Sequence, residues 1–577
     1  MSRTSPWLLL AVVLLGVNSQ ARGVQTAEII YINGNLITVD SDFALATGMA
    51  VADGRILRVG STDEVLETQG PETQVIDLRG TTVVPGLIDS HTHPTGASMH
   101  EFDHPIAEME TIEDVLRYIK ERAELLGEGK WVIVRQVFIT RLKEQRYPTK
   151  EELDRAAPRN PVLFATGPDA SLNSLALDLS GIDETFEPEG PGKVERDPKT
   201  GIPTGILRNL TRYVKTESPG RTPTRDEEDE QLTELFYDYN SVGITSIIDR
   251  NASSSAVEQY ARLHDANALT VRIGLSHAVG SSGPLEEIEA NIRQVAEKAI
   301  RTNDSMLRTV GIKMFLDGGM LTGSAYMREP WGVSEIYSID DPKYRGVLFI
   351  PPERLQPLVR ATVRAGLQFT AHSVGDGAVH ALLDAYEAVN NELPVAPTRP
   401  CLTHSNFMSR ESIEQAARLG VVVDIQPAWL YLDTRTLVAQ FGYDRLRYFQ
   451  PLQSLFQAGV TVGGGSDHMQ KIGSFRSINP YNPFLGMWVA TTRQAKGYEG
   501  SLHPEEALTR EQVIQFYTIN NAKLMFLEDE IGSLEAGKRA DFVLLDRDIL
   551  TCSGEELIET KVLATYLGGK LIHEHQD

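Results

Sequence analysis

The sequence predicts an α/β protein: a (β/α)₈ barrel of the TIM type carrying an inserted subdomain, with a small β-sandwich built from both chain ends. Three observations carry this. Eight short apolar runs recur along the chain, each followed by a helical stretch, as a closed parallel barrel requires. One gap in that series is far longer than the roughly 30 residues of a βα unit. The two chain ends share a grammar of short strands broken by Gly turns. At 577 residues there is room for a barrel of about 250 residues and substantial additions.

The chain opens MSRTSPWLLLAVVLLGVNSQARG. Arg3, an apolar run from Trp7 to Val17 and the small residues around Ser19 and Ala21 predict a signal peptide over residues 1–21, and hence export to the periplasm or the medium. An uncleaved anchor is the alternative. The run is short for a permanent span, and no other stretch reaches about 18 apolar residues, so no stable membrane association is expected after cleavage.

Residues 22–81 include AEIIYINGNLITVDSDFALATGMAVADGRILRVG, whose Asn-Gly, Asp-Ser and Asp-Gly breaks are hairpin punctuation. Similar punctuation returns in residues 526–577, in IGSLEAGKRADFVLLDRDIL and VLATYLGGKLIHEH. These two parts are expected to form one sandwich.

Residues 82–525 hold the barrel candidates: TVVPGLIDSHTH ending at His93, GITSIID (243–249), TVRIGLSH (270–277), TVGIKMFLD (309–317), LQFTAHS (367–373), PCLTHSN (400–406), VVVDIQP (421–427) and VTVGGGSD (460–467). The insertion is expected over about residues 95–240. Its helix candidate is TIEDVLRYIKERAELLG, and GPGKVERDPKTGIPTG reads as a hairpin over the barrel mouth.

A net charge of −24 with no Lys/Arg block argues against a nucleic-acid partner. Two cysteines, Cys401 and Cys552, exclude a disulfide framework and a thiolate zinc site. Any metal must therefore be held by His, carboxylate or a modified Lys. Self-association into a homo-oligomer stays open.

His91 and His93 close the first barrel strand, and alternation along a strand points both imidazoles to one face. His372 and His404 end two other strand candidates, and Asp467 ends the eighth. Catalytic groups of barrels come from those carboxyl ends, and four strands converging on four His and an Asp are the makings of a metal site. Lys313, inside the fourth strand candidate, is costly to bury. It either pairs with a carboxylate such as Asp317 or loses its proton by desolvation and becomes a carbamate.

The ordered set VVPGLIDSHTH, KMFLDGG, AHSVGDGAVH, LTHSNF, GGGSD and IGSLEAGKRADFVLLDRD resembles the metal-dependent amidohydrolase superfamily, in its amidohydrolase-3 branch of N-substituted formamide deformylase-like proteins. The resemblance spans essentially the whole mature chain. It implies metal ligation by His91, His93, carbamylated Lys313, His372, His404 and Asp467, with two Zn²⁺ bridged by the carbamate. It also implies that Asp467 takes and returns the proton while a metal-activated water cuts a carbon–nitrogen bond of a small molecule, amide-type and outside proteins or in a small peptide. A non-catalytic exported binding protein, and an isomerase or lyase on the same scaffold, are the alternatives. Where many relatives carry Asp-Gly-His before an Asn-Ser pair, this chain reads Thr166-Gly167-Pro168 before Asn173-Ser174. His468 is the substrate-binding candidate, and SFRSINPYNPFLGMWVATTR after it is expected to shape the pocket.

Overall fold

The structure, a computed structural model, describes residues 26–135, 137–167, 169–189, 192–217, 220–299 and 305–576. The expected signal peptide therefore lies outside the described residues.

Eight parallel strands run in chain order through one sheet: β1 (Leu87–Thr92), β2 (Ile244–Ala252), β3 (Arg272–Ala278), β4 (Leu307–Phe315), β5 (Gln368–Ser373), β6 (Cys401–His404), β7 (Val422–Ile425) and β8 (Val462–Gly464). Each falls on one of the eight apolar runs. Because helices cover their outer faces, these strands are buried on both sides, which is why they read as apolar runs rather than as alternation. Helix Asp376–Asn390 shows the covering logic, turning Val379, Leu382, Leu383 and Tyr386 inward at helical spacing.

β8 meets β1 through a thin seam. The Asp467 amide donates to His91 O at 2.8 Å and the His93 amide to His468 O at 2.8 Å. Lower down, Asn521 Nδ2 bridges Ile88 O and Gly464 O across the remaining gap. The seam needs glycine, since a Cβ on Gly463 would lie 1.9 Å from Asn521 Oδ1 and one on Gly465 2.7 Å from the His91 amide nitrogen. Ala522, Leu524, Leu527 and Ile531 close the opposite, amino end of the barrel against Ile88, Ile248 and Cys401.

The stretch TVVPGLIDSHTH is two strands, not one. Thr82–Pro85 pairs antiparallel with Phe542–Leu545 in an outer sheet, and only Leu87–Thr92 enters the barrel. The break sits at Gly86, where a Cβ would come within 2.2 Å of Thr245 Oγ1. The boundary expected after residue 81 thus falls at Pro85–Gly86. That outer sheet has six strands in the order 570–574, 562–567, 542–545, 82–85, 35–37, 45–46, so it is built from both chain ends. A four-stranded sheet from residues 27–77 packs on it through Tyr31, Met49, Val51, Val83 and Phe542. Arg272 on β3 ties this module to the barrel by a bidentate pair with Asp541, 2.6 and 2.9 Å, both side chains buried.

The insertion after β1 carries its own five-stranded sheet, spanning Val132–Arg135 to Pro203–Arg208, and helix Ile112–Leu126. Lys193–Arg196 and Pro203–Arg208 form its outer hairpin. The insertion ends earlier than expected. Helix Arg225–Ser241 places Leu232, Leu235, Phe236 and Tyr239 in the barrel core beside Ile244, Ile247 and Ile273, so it is the covering helix ahead of β2. No helix among the described residues is long and apolar enough to cross a membrane.

Candidate metal centre

The carboxyl ends of the strands bring the sequence-predicted histidines together. Ring centroids of His91 and His93 lie 5.1 Å apart, His91 and His404 4.8 Å, and His372 and His404 4.6 Å. Asp467, just past β8, sets Oδ1 3.4 Å from His91 Nε2 and 3.2 Å from His93 Nε2. One ligand atom from each of His91, His93 and Asp467 fits within a 4.8 Å span. His404 and Asp467 both adopt left-handed backbone, φ +70° and +57°. Non-glycine residues hold that conformation at a cost and do so preferentially at functional sites.

Two residues of β7 and its end fix the tautomers of this cluster. Asp424 Oδ1 faces His91 Nδ1 at 3.2 Å, and Gln426 Oε1 faces His404 Nδ1 at 2.7 Å. Neither oxygen can donate, so each Nδ1 carries the proton and each Nε2 keeps its lone pair. Burial holds both imidazoles well below the usual histidine pKa, so they stay neutral. Gln426 Nε2 donates back to Asp424 Oδ1 at 2.8 Å, and the other Asp424 oxygen pairs with the buried Arg250 Nε at 2.9 Å. Arg250 in turn donates to Gln368 Oε1 at 2.7 Å. A polar layer thus crosses the barrel directly beneath the histidines.

His372 donates from Nε2 to Gly318 O at 3.4 Å, and burial together with nearby Lys313 pushes it down to about 3. His93 differs: burial opposes its charge, but Asp249 and Asp467 outweigh burial and raise it to about 9. Asp249 Oδ1 lies 3.8 Å from His93 Nδ1 and its other oxygen accepts from Tyr260. Burial raises Asp467 above the ordinary carboxylate range.

Lys313 is buried on β4 and makes no ion pair among the described residues; burial pushes its amine down to about 8. The pairing with Asp317 is not made. Asp317 instead accepts the backbone N–H groups of Tyr326, Val374 and Gly375, each at 2.9 Å, which pins the loops after β4 and β5.

The cluster floors a cavity of about 1100 Å³ at the barrel mouth, walled by the loop after β4, the insertion hairpin, Met469 and Asn479. His468 does not reach it. Its ring is buried beneath the site, with Nδ1 2.7 Å from Tyr239 Oη and Nε2 2.8 Å from Lys471 O, because the backbone reverses at Asp467 and sends the next side chain outward. Asn479 takes the cavity-facing place, its Nδ2 2.9 Å from Asp467 O and 3.4 Å from Asp467 Oδ2. Sequence reasoning missed Asp424, Gln426, Asp249 and Asn479. The run VVVDIQP ends its strand in two polar residues at i and i+2, a signal that was present but unspecific.

The donor set suits a borderline divalent ion, being imidazole and carboxylate without thiolate. His91 Nε2 supports the fit directly: it is buried and has no hydrogen-bond partner among the described residues, which is costly unless something else occupies its lone pair.

The profile of the Amidohydrolase family matches residues 74–573. The chain is 31% identical to the N-substituted formamide deformylase of Arthrobacter pascens, over 95% of this chain and 99% of that one. A solved metal-dependent hydrolase from Pyrococcus horikoshii superposes with a TM-score of 0.66 at 21% identity, over 91% of this chain and 99% of the other. Atrazine chlorohydrolase TrzN from Arthrobacter aurescens, solved with zinc, superposes with a TM-score of 0.51 at 15% identity, over 95% of each chain. On the match across most of its length, this chain belongs to the Amidohydrolase family.

Proposed function

We propose that this chain is an exported metal-dependent hydrolase that cleaves a carbon–nitrogen bond of a small amide. The observation that carries the reading is the unpartnered Nε2 of buried His91, facing His93 and Asp467 in a span small enough for one ion. The relative named as an N-substituted formamide deformylase supports the bond type, and the zinc complex of the structural neighbour TrzN supports the metal.

His91, His93 and Asp467 would hold one Zn²⁺, and His372 and His404 a second, with Lys313 as a carbamate shared between them. When bound, the metal supplies Lewis acidity to the scissile carbonyl and makes water a nucleophile near neutral pH. The chain's own residues do the rest. Asp467 Oδ1 is turned to the two histidines, which leaves Oδ2 to hold the proton taken from water and return it to the leaving nitrogen. Asn479 Nδ2 keeps that carboxylate from rotating. Asp424 and Gln426 keep the ligand tautomers fixed.

The test is amine release from a panel of N-acyl and N-formyl amines by zinc-loaded protein, repeated after chelation and after zinc is returned. Turnover that survives chelation, with metal content at background, would sink the reading.

A further inference from the structure

We propose that a second cavity, between the insertion and the segment that follows Asp467, binds a small monocarboxylate with an apolar tail, whatever bond the metal centre cleaves. It measures about 380 Å³, within the range of about 300 to 1000 Å³ that small-ligand pockets occupy. Helix Ile112–Leu126 and strand Val132–Arg135 of the insertion contribute to its lining, together with Gln470, Lys471, Arg476 and Ile478. None of its lining residues lines the cavity at the metal centre. Val137, Gln470 and Ile478 face it, however, while their chain neighbours Phe138, Met469 and Asn479 line the first cavity. The two cavities therefore stand on opposite sides of one wall.

Charge calls for an anion. Arg122, Arg135, Lys471 and Arg476 line this cavity against two carboxylates, Asp103 and Glu108. Arg122 pairs with Asp103, Lys471 with Glu108 at 3.1 Å, and Arg476 with Glu101 at 2.9 Å. The guanidinium of Arg135 makes no ion pair or hydrogen bond among the described residues, so this lining keeps a cation to spare in a chain of net charge −24. Lys471 is also open to exchange. Only 6% of its side chain is exposed, against 66% of that of Glu108. A carboxylate inside the cavity can take the ammonium and let Glu108 turn back to water at little cost, because ion pairs with so exposed a partner contribute little. The imidazole of His100 makes no hydrogen bond among the described residues either. Burial and nearby Lys471 outweigh Glu101 and hold it down to about 4, so it is neutral and offers one N–H to an anion.

The apolar part of the lining calls for a tail. Met99, Met109, Leu126, Trp131, Ile133 and Val137 all face the cavity. Met109, Leu126 and Val137 pack on the core of the insertion, and Trp131 is buried, so this surface is held in place by what lies behind it. An inorganic anion would meet the cations and leave the apolar surface wet. A neutral apolar molecule would cover that surface and leave the cations unanswered. A carboxylate on a short apolar chain or ring does both, its planar oxygens matching the fork of Arg135.

Phenylacetate is the probe, with acetate supplying the charge without the ring and 2-phenylethanol the ring without the charge. Because a carboxylate also ligates zinc, calorimetry is run on the full chain both zinc-loaded and after chelation. Phenylacetate is expected to bind in both states, about tenfold or more tightly than either control. Arg135→Gln, at an exposed side chain, should weaken that binding about tenfold, the effect of losing one charge-assisted hydrogen bond. Lys471→Met should weaken it at least as much, and Arg135→Lys should keep part of it. Three results would overturn the proposal: phenylacetate binding that disappears with the zinc, binding that is unchanged in Arg135→Gln protein folded by circular dichroism, or binding no tighter than that of acetate or 2-phenylethanol.

Discussion

Nδ1 of His91 lies 3.2 Å from Oδ1 of Asp424, a residue that lines no part of the cavity. The bond fixes which ring nitrogen of His91 is free, and Asp424 is itself held by Arg250 and Gln426. Asp424→Asn should lower metal affinity about 10- to 100-fold, the usual cost of losing such a support. It should also lower the melting temperature, because taking the charge from one member of a buried pair costs about 3–5 kcal/mol. Zinc competition against a chromogenic chelator reads the first effect and calorimetry the second. Unchanged zinc affinity would remove Asp424 from the site.

Arg141 couples the insertion to Asp467, the carboxylate proposed to handle the proton. Its guanidinium pairs with Asp433 at 2.8 and 2.9 Å and reaches Asn479 Oδ1 at 3.1 Å, while Asn479 Nδ2 holds Asp467. Asn479→Ala is expected to lower kcat about 10- to 100-fold with KM little changed, since small misplacements of a reacting group cost that much. Arg141→Ala should do the same, and the double substitution should cost little more than either single one. Additive losses in the cycle would mean that the two residues act separately.

The fold was legible in the sequence to the extent that burial wrote itself into periodicity. All eight barrel strands are apolar runs because both of their faces are covered, and the four histidines proposed as ligands and Asp467 stand at strand ends, where a barrel places its chemistry. What stayed hidden depends on three-dimensional accidents of direction. The split at Gly86 follows from one contact with Thr245, and the outward turn of His468 follows from the left-handed backbone at Asp467. Helix Arg225–Ser241 carried a readable apolar stripe at 232, 235, 236 and 239, but nothing local says which core that stripe meets. The role of Asp424 stayed hidden for a different reason. A buried carboxylate at a strand end acquires meaning only from His91 and Arg250, each more than a hundred residues away in the chain.

The Arg272–Asp541 pair offers a stability test away from the chemistry. Both side chains are buried, and Asp541 also accepts the Gly568 amide at 2.7 Å. Arg272→Met should strand the carboxylate and destabilise the protein by about 3–5 kcal/mol. Arg272→Met with Asp541→Leu should recover part of that loss, because replacing both charges by apolar groups removes the uncompensated one. Denaturant melts of the three proteins check this, and a double variant no more stable than the single would refute it.

Export is tested at the terminus. The basic, apolar, small-residue order of residues 3–21 predicts cleavage near Ala21, so the mature protein should begin close to Arg22. Terminal sequencing of secreted or periplasmic protein that began at Met1 would contradict it.

Lys313 and Asp467 should fail differently when replaced, and that difference tests the mechanism most directly. Lys313 is buried, has no carboxylate partner among the described residues and lines the same cavity as the four histidines, as the proposed carbamate ligand must. Lys313→Ala is expected to lower zinc content and activity together. Since the carbamate forms from free carbon dioxide, a small carboxylic acid such as formate should enter the space left in the variant and restore part of both. Asp467→Asn keeps the size of the side chain and its contact with Asn479 but cannot take up a proton at neutral pH. Zinc should therefore largely remain while kcat falls by about 10² to 10⁴. Were Lys313 only a core residue, its loss would lower the melting temperature and leave zinc and turnover per folded molecule near normal, and no acid would rescue it. Zinc analysis beside kinetics on the two purified variants separates these outcomes, and full turnover by either one would refute the assignment of that residue.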